Sequence, residues 1–168
     1  MLIEASTLRG AKVIASTGEA IGKVGRLFFD GSAAKLVGFQ VTRPSLIKSF
    51  AALSLEGTLS LSRESVIVDS PSALRKDHEP FDTLNRRWGK VLDVPAKTES
   101  GRGLGRISDA VIDSQSGLIT RFYLVALLKE RIIPRQFLVA ISPKAVVFSD
   151  IVDQPIFNQV AATKTVAA

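Results

Sequence analysis

The chain has 168 residues, 46 % apolar and 23 % charged, a balance that excludes a disordered polymer and predicts a folded body. It holds no cysteine and one histidine, which excludes disulfides and His/Cys metal sites and fits a reducing, cytoplasmic setting. The net charge of +6 is uneven: residues 1–84 carry 10 Lys/Arg against 9 Asp/Glu, and residues 85–168 carry 12 against 7. A basic second half suits nucleic acid, anionic lipid or an acidic protein, although no run of five basic residues concentrates the field.

In chain order, residues 1–10 lack the basic start and long apolar core of a secretory signal, so none is expected. The longest apolar run, Phe122–Leu128, falls far short of the roughly 20 residues a spanning helix needs. Lys12–Ser16 is a short β-type run closed by Thr17-Gly18-Glu19. Ala20–Asp30 follows as a strand rich in branched and aromatic residues. Its Leu27-Phe28-Phe29 run breaks the alternation, which points to a bulge or to a strand covered on both faces. Asp30-Gly31-Ser32 is a hairpin turn, and Leu36–Thr42 is the returning strand.

After Arg43-Pro44-Ser45, the segment Leu46–Leu55 reads equally as a strand or as one amphipathic helix. Short strands at Leu59–Leu61 and Val66–Val68 flank a polar corner at Ser62–Ser65. Residues 77–87 are charged and prolyl and read as a linker, with Phe81 and Leu84 able to tack it onto a barrel. The expected domains are therefore 1–76 and 88–149, with 150–168 as a mobile tail. In the second half, Lys90–Val94 is matched to Lys12–Ser16, and Leu104–Asp113 with Ile119–Val125 forms a second hairpin. Arg131–Ile133, Leu138–Ile141 and Ala145–Phe148 complete it.

The halves repeat. A shift of 83 aligns Gly18, Gly22, Asp30 and Phe39 with Gly101, Gly105, Asp113 and Phe122. A shift of 72 aligns Arg63, Ser70, Pro71 and Ala73 with Arg135, Ser142, Pro143 and Ala145, which implies 11 extra residues in the first copy near 43–58.

The pattern Gly-x-x-x-Gly-basic-aliphatic, followed by an apolar strand ending in Asp, resembles the PRC-barrel family. So does the run Ile133-Pro134-Arg135-Gln136-Phe137-Leu138 with Ser142-Pro143-Lys144-Ala145-Val146-Val147. On this alignment Ser62 replaces the corner proline in the first copy. The resemblance covers roughly residues 12–149 and implies an all-β fold: two small, strongly bent antiparallel barrels in tandem, packed as a pseudo-two-fold pair. The family includes the cytoplasmic domain of the photosynthetic reaction-centre H subunit and the C-terminal domain of a ribosome maturation factor. Most members dock onto other macromolecules, and the family brings no shared catalytic residues.

No catalytic, cofactor-binding or metal-binding residue is expected. His78 lies in the charged linker, and the glycines lack the strand-then-helix context of a phosphate loop. Gly18, Gly22, Gly101 and Gly105 are read as bends; Asp30 and Asp113 are read as turn-starting residues. Asp109 and Asp113, four apart in one strand, face the same side and are weighed as a paired-carboxylate candidate. The leading expectation is a non-enzymatic protein-interaction scaffold whose protein partner is unidentified. The second is RNA or ribosome binding through Arg102, Arg106, Arg121, Lys129, Arg131 and Arg135, with Trp88 and Tyr123 for stacking. The third is an adaptor at a membrane surface, using Leu46, Ile47, Phe50 and Leu53.

Overall fold

Both halves are built outward from a long bent hairpin. The computed structural model describes residues 1–154 apart from Leu46, Lys48 and Gly89. The first half runs β1 (Leu2–Glu4), α1 (Ala5–Leu8), β2 (Lys12–Ala15), β3 (Ala20–Asp30), β4 (Lys35–Arg43), β5 (Ser49–Ser54), β6 (Thr58–Leu61) and β7 (Ser65–Val68). After α2 (Glu79–Trp88), the second half runs β8 (Pro95–Thr98), β9 (Gly103–Asp113), β10 (Ile119–Ala126), β11 (Lys129–Pro134), β12 (Leu138–Ile141) and β13 (Val146–Phe148). One sheet has the order β5-β4-β3-β2-β7-β6 and the other β11-β10-β9-β8-β13-β12, which is the same order strand for strand. The fold is all-β with two barrel-like units. Each unit also contains one parallel pair, β2 with β7 and β8 with β13, in an otherwise antiparallel sheet. Among the described residues no helix is long and apolar enough to cross a membrane.

The bends have local causes. Register shifts fall at Val24/Leu27 and Phe28/Phe29 in the first hairpin, and at Tyr123/Leu124 and Ile119/Arg121 in the second. Each bulge adds twist and turns the strand across its own barrel. The consecutive Leu27, Phe28 and Phe29 are all buried because β3 is covered on both faces there. Its outer side receives α2, where Phe81 stacks on Phe28 with ring centroids 5.0 Å apart and planes 6° apart. The charged stretch read as a linker thus carries a helix, and Phe81 is the residue that fastens it.

The internal alignment needs two corrections. The first strand of the second unit is Pro95–Thr98, which lies 83 residues after Lys12–Ala15; Lys90–Val94 is not a strand. Beyond the hairpin the offset is 80 rather than 72: β5, β6 and β7 correspond to β11, β12 and β13. The polar corners confirm it, because Ser62 Oγ donates to the Ser65 carbonyl at 3.0 Å and Ser142 Oγ to the Ala145 carbonyl at 2.9 Å. The first unit's insertion is therefore three residues, all in the β4–β5 connection, and the counterpart of Pro134 is Ser54. The identities at Arg63/Arg135 and Ser70/Ser142, which imply the longer gap, are coincidental. Within the segment read as strand or helix, Ser49–Ser54 is β5 and Leu55–Gly57 is a single 3-10 turn, while Leu46 and Lys48 lie outside the described residues.

The two units meet about a pseudo-two-fold axis at the hairpin turns. Leu36 N–H donates to the Gly117 carbonyl at 2.8 Å, and Ile119 N–H donates to the Ala34 carbonyl at 3.0 Å. These are reciprocal bonds, since Ala34 and Leu36 correspond to Gly117 and Ile119 at the 83-residue offset. The segments preceding the barrels cross over. β1 adds to the second sheet with Ile3 opposite Ile112, while α2 lies on β3 of the first unit. Buried residues from both halves, including Ile3, Leu8, Phe39, Phe122 and Phe148, form one continuous core. Residues 150–153 form a 3-10 turn with Val152 buried; of the stretch read as a tail, residues 155–168 lie outside the described residues.

Candidate interaction surfaces

Several of the second unit's arginines are engaged within the protein. Arg102 forms an ion pair with Asp153, and Arg131 lies 3.8 Å from the same carboxylate. Arg106 donates to the Asp93 carbonyl. Arg135 spans the unit boundary, donating to the carbonyls of Ala33 at 2.7 Å, Ala34 at 2.9 Å and Ile119 at 3.2 Å. It serves as a clamp between the two hairpin turns. Arg121 is half-buried on β10, and Lys129 is exposed at the start of β11. Four of these six residues therefore contact protein groups, while Arg102, Arg106 and Lys129 stay exposed. The missed partner was Asp153, which sits in a stretch that looks like a tail in sequence.

The glycines and turn aspartates hold the hairpins. Gly18 and Gly101 occupy the turns before β3 and β9, and a side chain at Gly22 or Gly105 would run into the opposing strand. Asp30 Oδ1 accepts from Ser32 N–H at 2.8 Å, and Asp113 Oδ1 accepts from Ser116 N–H at 2.8 Å. These bonds, led at Asp30 by the Ser32 hydroxyl and at Asp113 by the Ser116 N–H, hold both carboxyls below their ordinary pKa. Asp109 instead accepts from the Ser6 N–H and hydroxyl, which binds α1 to the second unit. Asp109 and Asp113 thus have separate structural partners. Among the described residues no cluster of three or more His, Asp or Glu side chains is placed to hold a metal.

Two features remain open to a partner. The β10–β11 connection presents Leu127 and Leu128 at 99 % and 100 % exposure, and Leu127 adopts φ 54°. A leucine in the left-handed region costs about 1 kcal/mol, and an exposed one recovers none of it by packing. The equivalent β4–β5 connection presents Ile47, with Phe50 partly exposed beside it. Leu53, grouped with them in sequence, is buried, whereas Leu46 and the Trp88 side chain lie outside the described residues. Tyr123 is half-buried on β10.

The second feature is a cleft of about 240 Å³ on the outer face of the first unit, lined by Lys12, Lys23, Thr42, Arg43 and Pro44 among others. Strand register explains how it forms. Lys12 lies opposite Lys23, Lys23 opposite Thr42, and Thr42 opposite Phe50, so a single row crosses four strands. Arg43 donates to the Leu74 carbonyl at 3.2 Å, and its buried Nε has no hydrogen-bond partner among the described residues.

Against known proteins, no curated protein matches the chain. Residues 1–75 match the family model of the PRC-barrel domain. That span contains the bent β3–β4 hairpin, the β5–β6 corner and the closing strand β7. The first unit is thus similar to the PRC-barrel domain over this span.

Proposed function

We propose that the chain is a non-enzymatic protein-interaction module, acting in the cytoplasm, in which two fused barrels serve as a rigid platform for docking. The observation that carries this reading is the Leu127–Leu128 tip, where two fully exposed leucines are held in a strained turn. Strain of this kind persists where a local conformation serves something other than stability. A platform role also suits the continuous core, which holds both loops in one frame. RNA binding through the second unit receives less support, because four of its six basic candidates contact protein groups.

The test is comparative capture of partners from the native host by the parent chain and by Leu127→Ser/Leu128→Ser. The variant should lose a specific protein partner while its melting temperature stays level or rises. An unchanged partner set would refute the assignment of docking to this tip.

A further inference from the structure

The two units share a strand order but differ in the row that crosses their outer faces. In the first unit the row reads Lys12, Lys23, Thr42 and Phe50. At the corresponding register the second unit has Pro95, Arg106, Val125 and Glu130. That row has one cation and one anion, and its cation is already bonded to the Asp93 carbonyl. The first row has two exposed ammonium groups directly opposite each other, and the half-buried Arg43 adjoins the same cleft. Like charges opposite one another on a sheet repel and weaken the pairing. No ion pair to Lys12, Lys23 or Arg43 is present among the described residues, and the cleft is lined by no carboxylate there.

We infer that this cleft binds an acidic segment of a partner protein, with side-chain carboxylates on Lys12 and Lys23 and an aliphatic or aromatic neighbour against Phe50. The inference rests on the protein-interaction reading and names the partner's chemistry. Three points favour a short acidic peptide over a long polyanion. The first half of the chain is nearly balanced in charge, with 10 cations against 9 anions, so it has little long-range field. The cleft volume, about 240 Å³, suits one or two side chains rather than a whole ligand. The row ends on an aromatic ring rather than continuing as cations, so it would meet few of the successive phosphates that nucleic-acid affinity relies on.

The experiment is fluorescence anisotropy on the full chain, using a short labelled peptide of alternating Glu and Leu and its Gln-Leu counterpart. The Glu-Leu peptide should bind the parent and weaken with salt, and the Gln-Leu peptide should not bind. Lys12→Gln/Lys23→Gln should weaken binding about tenfold, the loss of two partly exposed ion pairs. Lys90→Gln/Lys97→Gln removes the same charge elsewhere and should leave binding unchanged. Equal binding of both peptides, or equal loss in both double variants, would overturn the site. So would a single-stranded oligonucleotide or a phosphatidylserine vesicle that binds more tightly than the peptide and is released by Lys12→Gln/Lys23→Gln. If partner capture still depends on Leu127 and Leu128 while the peptide fails, only this inference falls. If the peptide binds but capture is indifferent to those leucines, the tip assignment falls instead.

Discussion

Replacing Gly117 by alanine tests the junction between the units. Gly117 has φ 75°, where alanine costs about 1 to 2 kcal/mol, partly offset by about 0.5 kcal/mol from a stiffer unfolded chain. The added methyl would overlap the Leu36 carbonyl and lie 2.6 Å from Leu55 Cδ2. The Leu36 backbone cannot retreat freely, because its N–H is bonded to the Gly117 carbonyl at 2.8 Å. Overpacking at such a site costs about 1 to 3 kcal/mol. Together these terms predict a loss of about 3 kcal/mol, or a fall of about 6 to 12 °C in melting temperature for a protein of this size. The symmetry-related change, Ala34→Gly, removes a buried methyl but relieves φ 46°, so it should stay within about 1 kcal/mol of the parent. Urea denaturation measures both. A Gly117→Ala variant within about 1 kcal/mol of the parent, or an equal loss in Ala34→Gly, would refute the close approach of the two turns.

Phe81→Ala removes the ring stacked on Phe28 and should cost about 1 to 2 kcal/mol in the same assay, since Phe81 is only half-buried; no loss would mean that α2 does not cover β3. Cutting the chain between Lys76 and Asp77 separates β1 from β9 and Phe81 from Phe28, so neither fragment should unfold cooperatively alone, and mixing should restore the folded pair. Two independently cooperative monomers, seen by circular dichroism and size exclusion, would contradict the shared core. The Asp30, Asp113 and Asp150 carboxyls all have lowered folded-state pKa, led by bonds from the Ser32 hydroxyl, the Ser116 N–H and the Ser100 N–H respectively. Their contribution is present above the unfolded carboxylate value of about 4 and is lost as pH falls through the lower folded values. Melting temperature should therefore drop between about pH 5 and about pH 3, less steeply in Asp113→Asn; an unchanged slope would remove Asp113 from that account.

The first hairpin was legible because its signals are local. Branched strands, an Asp-Gly turn and glycines at fixed spacing depend on neighbours a few residues away, and their echo 83 residues later exposed the duplication. The register beyond the hairpin was not legible, because coincident Arg, Ser and Pro matches outweighed the weaker true alignment of β5–β7 with β11–β13. The role of the arginines was also hidden. Their acceptors are distant in sequence: Asp153 for Arg102, and the Ala33 and Ala34 carbonyls for Arg135. Counting charge placed the basic surface in the second half, whereas the structure engages four of its arginines with protein groups and sets Lys12 opposite Lys23 in the first. By itself the sequence determined the module and its repetition, since hydrophobic period and turn chemistry are short-range. Only the tertiary structure decided which cations remain available, because ion pairing and cross-strand register are settled by chain segments that meet only on folding.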